Sequence, residues 1–215
     1  MQPDRQFVGL DAYQKLLASD VDLVLLCSPP GFRPMHFETA AQVGKYMFIK
    51  PIPVDAPGYR RILAPNAQAK QKKLAVAVGH HLRHETKHHE IINRIHDGAI
   101  GQIQSLRAYS NSGGVWSQPR KKDQTEMQFQ VSNRYYFVWL SGDHIVEQHV
   151  HDLDVMNWTM KDLHPAEAQG MGSRQVRTPE WAEAQGMGRS AVGEIFDHHA
   201  VEFTYPDRVK MFSFC

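Results

Sequence analysis

The sequence predicts an α/β fold with a parallel sheet in its first part, followed by an α+β part whose sheet is mostly antiparallel. Three apolar runs indicate the parallel sheet, because each has the length of a strand and segments with helical spacing lie between them. These runs cover residues 21–27 (VDLVLLC), 46–50 (YMFIK) and 74–78 (LAVAV). Strands that alternate with helices in this way form parallel sheets with right-handed crossovers.

The segments around these runs predict helices over residues 10–18 and 35–43, and a third helix before the last run. Pro65 lies in the third helix and is expected to kink or split it, because proline lacks the N–H that an interior helical residue donates. The continuous Val and Leu content of 21–27 predicts a strand covered on both faces. Cys27 is therefore expected to be a small buried residue rather than a reactive thiol.

After Gly79 the pattern changes, which places a domain boundary near residue 80. The remaining chain predicts an α+β unit. Its expected elements are a helix over 85–97, a strand over 102–109, a helix over about 143–160 and a β-hairpin over 200–214. Residues 111–134 are expected to form a long polar loop.

The heptapeptide AEAQGMG occurs twice, at residues 166–172 and 182–188. Two copies are too few for a solenoid, which needs a larger number of stacked repeats. The preferred interpretation is a local duplication that leaves a spare strand candidate and permits competing strand registers.

The composition argues against several classes of partner. The formal net charge of +1 gives no electrostatic reason to expect nucleic acid or an anionic membrane. No apolar run approaches the roughly 20 residues that span a bilayer, and the first residues lack the apolar core of a signal peptide. We therefore expect a cytoplasmic protein, with an export signal upstream of Met1 as the alternative.

Polar residues follow two of the predicted strands, at the edge where parallel α/β sheets bind ligands. Ser28, Pro29 and Pro30 end the first strand, and His36 follows in the next helix. Lys50 ends the second strand and is followed by a proline. A lysine that is partly desolvated at such a place can have its pKa lowered into the range useful for proton transfer. Taken singly, these residues also fit ordinary strand ends.

The segment 141–158 (SGDHIVEQHVHDLDVMNW) carries the densest set of polar groups. On a helix, one stripe contains Glu147, His151, Asp154 and Trp158. Buried unpaired charge is costly, so this stripe is either exposed or bonded to itself and to a ligand. Glu147 and His151 are one helical turn apart, where they can share a proton and tune the imidazole near neutral pH.

The histidines also permit a metal site, which is a less favoured hypothesis. The motif HVHD at 149–152 has the order of a metallohydrolase motif, but on a helix His149 and His151 point in different directions. A second cluster contains His80, His81, His84 and His88. Zinc needs a convergent set of ligands with an ordered second shell, so no metal is expected. A histidine-dependent metal hydrolase is kept as an alternative.

Taken in order, three motifs resemble the Gfo/Idh/MocA family of NAD(P)-dependent oxidoreductases. They are DVDLVLLCSPPGFRPMHFETAAQVGKYMFIKP at 20–51, DGAIGQI at 97–103 and SGDHIVEQHVHDLDVMNW at 141–158. In that family a Thr/Ser-Pro ends a strand, a Glu-Lys-Pro motif carries the catalytic lysine, and a later Asp-x-x-x-His motif lies over the nicotinamide. The resemblance implies the C-terminal part of a dinucleotide-binding Rossmann domain over 1–80. It also implies a substrate-binding and oligomerisation domain over 81–215.

The resemblance assigns roles to residues at matching positions. It implies that Lys50, Glu147 and His151 are catalytic, with His151 as the general acid/base on the substrate hydroxyl. It implies cofactor contacts at Ser28, Pro29, Pro30, His36, Lys50 and His81. It implies substrate contacts at Arg83, Asp154 and Trp158.

The sequence departs from the family pattern at several points. Ile49 stands where the family has the Glu of Glu-Lys-Pro, and Glu147 stands where it has Asp. No Gly-x-Gly-x-x-Gly loop follows a predicted strand, so the phosphate-binding unit is expected upstream of Met1, in about 60 residues. The chain stops inside a predicted strand, so the second sheet is expected to be incomplete.

The predicted function is hydride transfer between a nicotinamide cofactor, NAD or NADP, and a sugar or cyclitol hydroxyl. The chain alone is expected to be inactive, because the loop that holds the cofactor pyrophosphate is not within it. A non-catalytic remnant of such an enzyme is the main alternative. The expected partners are the small substrate and, through the sheet of the second domain, another copy of the chain. Nucleic acid and membranes are not expected partners.

Overall fold

The computed structural model describes residues 3–51, 53–113, 115–186 and 188–215. They form two compact units, one ending at Gly79 and one beginning at His80. The first unit contains a three-stranded parallel sheet and the second a four-stranded mixed sheet. The predicted fold class is therefore confirmed. None of the described helices is both long and apolar enough to cross a bilayer.

The first unit alternates strands and helices as the sequence predicts. Its elements are α1 (Ala12–Leu17), β1 (Leu23–Leu26), α2 (Arg33–Gln42), β2 (Tyr46–Ile49), α3 (Ala56–Gln71) and β3 (Val76–Val78). The strands lie in the order β1-β2-β3 and pair in parallel. Their C-terminal ends consequently lie at one edge of the sheet, where the loops that follow β1 and β2 begin.

One face of this sheet is packed, and within the described residues the other is largely exposed. The packed face contacts apolar residues of the three helices and carries Val24, Leu26, Met47 and Ile49. On the other face, Leu23 and Leu25 are 56% and 66% exposed. The expectation of a strand covered on both faces is therefore wrong for these residues. Cys27 is exposed as well, contrary to expectation, because alternation along the chain places it on the side of Leu25.

Helix α3 runs through Pro65 as one element, so of the two expected effects, a kink or a split, the split is wrong. Its N-terminus is capped by Asp55, whose carboxylate accepts a hydrogen bond from the backbone N–H of Gly58 at 2.7 Å. Pro65 is buried. Burial of its ring offsets the loss of one backbone hydrogen bond within the helix.

The second unit is an α+β arrangement with a mixed sheet. Its helices are α4 (Thr86–His96), α5 (Glu126–Ser132), α6 (Val138–Ser141), α7 (Val150–Thr159) and α8 (Pro179–Ala184). Its strands are β4 (Ser105–Tyr109), β5 (Glu167–Ser173), β6 (His198–Thr204) and β7 (Lys210–Phe214). The order is β4-β7-β6-β5, in which β4 and β7 are parallel and the other two pairs antiparallel. The predicted hairpin is the pair β6–β7.

Helix α7 packs against one face of this sheet. The buried centre contains Leu106, Met160, Tyr205 and Met211, and residues of α7 pack against it. The predicted helix over 143–160 is present, but its first part is a π-helical turn (Ile145–His149) that leads into α7. Such turns occur frequently at functional sites.

The stretch 111–134, expected to be a loop, contains helix α5. Thr125 and Gln128 form a capping box: each side chain accepts a hydrogen bond from the other residue's backbone N–H, at 3.3 Å and 3.0 Å. Phe129 in this helix is buried. The expectation of a loop is wrong for α5, because a short polar helix needs only a local cap and one buried aromatic ring.

The two copies of AEAQGMG have different structures. The first copy lies largely in β5, where a Cβ on Gly170 would lie 2.8 Å from Val201 Cγ2 of the neighbouring strand. The second copy starts in α8 and continues past its end, and Met187 lies outside the described residues. The described part of the second copy is thus not a strand.

Gly193 and Gly101 provide a matched pair for testing backbone strain. Both have positive φ, +53° and +70°. A Cβ on Gly193 would lie 1.9 Å from the Tyr136 carbonyl oxygen, whereas one on Gly101 has nothing within 4 Å. We expect Gly101→Ala to lower the free energy of unfolding by about 1 kcal/mol and Gly193→Ala by more than about 3 kcal/mol. Urea denaturation followed by tryptophan fluorescence measures both, and equal losses would contradict the geometry.

Asp197 ties the segment after β5 to the start of β6. Its carboxylate accepts hydrogen bonds from the backbone N–H groups of Gln175, Val176 and Arg177 at 2.9, 2.7 and 2.8 Å. Burial alone would raise the pKa of Asp197, but these three donors and His198 lower it far below its usual range. Its stabilising effect is therefore present above the ordinary carboxyl pKa and is lost as pH falls through the lowered value.

We expect Asp197→Ala to lower the free energy of unfolding by about 2 kcal/mol at neutral pH. The difference between wild type and variant should stay constant above about pH 5 and shrink below about pH 4. Urea denaturation at several pH values measures it. A difference that grows as the solution becomes more acidic is the contrary outcome.

Candidate functional site

In the first unit, the end of β1 is organised around a hydrogen bond between Ser28 and His36. Ser28 Oγ lies 2.9 Å from His36 Nδ1, and the imidazole stacks on the ring of Tyr13 with centroids 4.4 Å apart. Burial lowers the pKa of His36. A neutral, stacked imidazole and a hydroxyl thus lie just beyond β1, beside the partly buried Pro29 and the buried Pro30.

Arg33 holds the ends of two strands together, a role that the sequence analysis missed. It is 3% exposed, and its Nε donates to the Ser28 carbonyl oxygen at 2.7 Å. Its Nη1 donates to the carbonyl oxygen of Pro51. Lys50 precedes that proline directly and is half-buried. One guanidinium therefore fixes the loops that carry Ser28 and Lys50 relative to each other.

In the second unit, Arg83 and Asp154 form a two-point ion pair. Arg83 Nε and Nη2 lie 2.6 and 3.0 Å from the two carboxylate oxygens of Asp154. The same guanidinium donates to Asp162 at 2.7 Å and lies over the ring of Trp158, 5.3 Å from its centroid. The turn that precedes α4 is thus bound to α7 by charge and by a cation–π contact.

His151 faces the turn that precedes α4. Its ring makes edge contacts with two other imidazoles. The centroid distances are 4.5 Å to His81 and 5.9 Å to His80. His80 Nδ1 lies 3.7 Å from an Asp154 carboxylate oxygen. Burial lowers the pKa of His80, while Asp154 acts in the opposite direction. The structure therefore groups His81, Arg83, His151, Asp154 and Trp158, and it adds His80, which the sequence analysis did not assign to this site.

Glu147 lies in the π-helical turn and is buried. Arg134, which the sequence analysis did not assign, has its Nε 3.7 Å from Glu147 Oε1. The guanidinium of Arg134 also lies over Trp116, 5.4 Å from the ring centroid. Arg134 thereby supplies positive charge to a carboxylate that would otherwise be costly to bury.

His149 has surroundings different from those of His151. His149 is 0% exposed, and its two ring nitrogens lie 2.8 Å from Ser213 Oγ and 3.2 Å from Asp152 Oδ2. This is the order of a Ser-His-Asp triad, but Ser213 is also 0% exposed, so no substrate can reach the hydroxyl. Among the described residues, the histidines of 149–152 and 80–88 form no group of three metal ligands. The metallohydrolase hypothesis therefore gains no support.

The parallel α/β unit followed by an α+β unit with a mixed sheet matches the fold of several solved oxidoreductases. Scyllo-inositol dehydrogenase from Lactobacillus casei, solved with bound NAD(H) and scyllo-inositol, matches with a TM-score of 0.65 and 19% identity over 94% of this chain. An oxidoreductase domain protein from Kribbella flavida matches with a TM-score of 0.69 and 16% identity, also over 94%. Aldose-aldose oxidoreductase from Caulobacter crescentus, complexed with glycerol, matches with a TM-score of 0.66 and 15% identity over 95%.

This chain spans about half the length of these structures: 53%, 50% and 53%, respectively. At such low identity the matches show the fold. The resemblance inferred from the motifs is thus confirmed at that level. No protein-family model and no curated protein sequence matches the chain.

The Arg83–Asp154 pair should be energetically coupled. We expect Arg83→Lys and Asp154→Asn each to lower the free energy of unfolding by about 1–2 kcal/mol, because an ammonium cannot reproduce the two-point contact. The double variant should lose less than the sum by about 1 kcal/mol. The exposed pair Glu90–Arg94 is the matched control, with an expected coupling of about 0.3–0.5 kcal/mol. Additive losses at Arg83 and Asp154 would contradict the proposed pair.

Proposed function

We propose that this chain provides the acid/base and substrate-binding residues of an oxidoreductase that acts on a sugar or cyclitol hydroxyl with NAD or NADP. The observation that carries the proposal is the grouping of His81, Arg83, His151 and Asp154 in the second unit. The fold likeness to a scyllo-inositol dehydrogenase solved with NAD(H) supports the same class of reaction.

His151 is the proposed general acid/base. Oxidation of a secondary alcohol removes a proton from the hydroxyl and a hydride from the carbon; a bound nicotinamide would supply the hydride acceptor. The imidazole of His151 accepts the hydroxyl proton in oxidation and returns it in reduction. Its contacts with His80 and His81 hold the ring in place before substrate arrives, so that little reorganisation is needed.

Glu147 and Lys50 complete the proposed catalytic set. Glu147, charge-balanced by Arg134, is the proposed acidic partner of His151. The ammonium of Lys50 stabilises the substrate oxygen as negative charge develops on it. Ile49 has no carboxylate, so Lys50 lacks the acidic neighbour that precedes the lysine in the Glu-Lys-Pro motif.

The remaining residues have binding roles in this proposal. Ser28, Pro29, Pro30 and His36 contact the cofactor at the end of β1, and the fixed Ser28–His36 hydrogen bond fits that role. His81 is a further proposed cofactor-binding residue. Arg83, Asp154 and Trp158 contact the substrate, since a charged pair beside an indole ring offers both hydrogen bonds and an apolar surface for a sugar.

The decisive variant is His151→Ala, assayed in the full-length protein that the gene encodes. We expect kcat to fall by about 100-fold or more for NAD- or NADP-dependent turnover across a panel of sugars and cyclitols. Dinucleotide binding, measured by calorimetry, should remain. His164→Gln is the matched control, because His164 is exposed and lies outside the group around His151.

An unchanged turnover rate for His151→Ala would overturn the assignment of the acid/base. The alternative of a non-catalytic remnant makes a different prediction for the same protein. It predicts neither dinucleotide binding nor turnover in wild type, so the calorimetric arm separates the two hypotheses.

A further inference from the structure

We propose that Asp143, His144 and His199 form a binding site for a divalent transition-metal ion of the zinc type. The inference does not depend on the proposed oxidoreductase function. Asp143 and His144 precede the π-helical turn, and His199 lies on β6. One side-chain donor atom from each lies within 4.8 Å of the others. Asp143 and His144 are 8% and 7% exposed, and the side chain of His199 is 13% exposed.

The cluster leaves two buried imidazole nitrogens without hydrogen-bond partners. His144 Nδ1 lies 2.8 Å from Asp143 Oδ1, but His144 Nε2 is buried and has no partner. His199 Nε2 is buried as well and lies 3.6 Å from Asp143 Oδ2, beyond hydrogen-bond distance. Buried polar atoms without partners are rare in folded proteins and call for an explanation. A cation that accepts imidazole lone pairs supplies one.

The chemistry of the donors selects the kind of ion. Two imidazoles and one carboxylate are a common protein ligand set for zinc and related divalent ions, whereas calcium and magnesium prefer oxygen donors. Zinc bonds to nitrogen and oxygen are about 2.0–2.2 Å, so donor atoms on one ion lie about 3–4 Å apart. The three ligand atoms, which lie within 4.8 Å of one another, would move closer by side-chain rotation to share one ion.

The surroundings of the cluster have the features of an ordered site. The backbone N–H groups of His144 and Phe196 donate to Asp143 at 2.6 and 2.9 Å, which orients the carboxylate. Cys215 pairs with His199 through two backbone hydrogen bonds of 2.7 and 3.2 Å. Residues paired in this way carry their side chains on the same face of a sheet. A thiol thus lies on the side of His199, which favours soft cations further.

An ion bound by these three side chains would join the segment before α7 to β6, since Asp143 and His144 lie in that segment and His199 lies on β6.

The test is zinc binding to the full chain after removal of bound metal with a chelator. We expect calorimetry with zinc chloride to give about one ion per chain, and the midpoint temperature of unfolding to rise with zinc concentration. His199→Gln should weaken binding by more than about 100-fold. His198→Gln is the matched control, because His198 is the preceding residue, lies on the opposite face of β6 and is 50% exposed.

Asp143→Asn provides a second variant in case His199→Gln does not fold, and circular dichroism checks the folding of each. It should lose zinc binding to a similar extent. Absence of zinc binding in wild type would overturn the proposal. Equal zinc affinity in wild type and in folded His199→Gln or Asp143→Asn would overturn it as well, since the ion would then lie on other histidines.

Discussion

The buried hydrogen bond between His149 and Ser213 is the interaction that sets the geometry of the second unit. Burial lowers the pKa of His149 although Asp152 acts against it. The neutral ring donates a hydrogen bond from Nδ1 to Asp152 and accepts one from the Ser213 hydroxyl at Nε2. This contact fixes the rotation of α7 on the sheet. His151 lies about 200° further around the helix and so points away from the sheet, where it meets His81.

The sequence was sufficient to predict the types and order of most strands and helices, because local periodicity carries that information. It was not sufficient to predict which faces are covered. Leu23 and Leu25 have the composition of a core strand, yet both are exposed among the described residues. The heptapeptide AEAQGMG makes the same point more sharply. Its first copy pairs with β6, whereas its second copy starts in α8. The surrounding chain therefore determines which secondary structure the same seven residues adopt.

The candidate site was predictable to the extent that helical spacing governs it. His151, Asp154 and Trp158 share one side of α7, and all three meet the segment 80–89. Arg33 and Arg134 were missed for a physical reason. Arg33 binds backbone carbonyl oxygens, and because every residue has one, no residue type signals such a contact. Arg134 contacts Glu147 across an irregular part of the chain, where helical or strand spacing cannot predict which residues meet.

The π-helical turn follows from two contacts that must face the same sheet. His144 lies against His199 of β6, with ring centroids 4.6 Å apart, and His149 bonds Ser213 of β7. These two histidines are five residues apart, which on an α-helix would place them about 140° apart around the axis. A π-turn closes its hydrogen bonds over five residues and so brings both to one side. Glu147 lies between them in the wider turn, and it can therefore reach Arg134 while both histidines remain on the sheet.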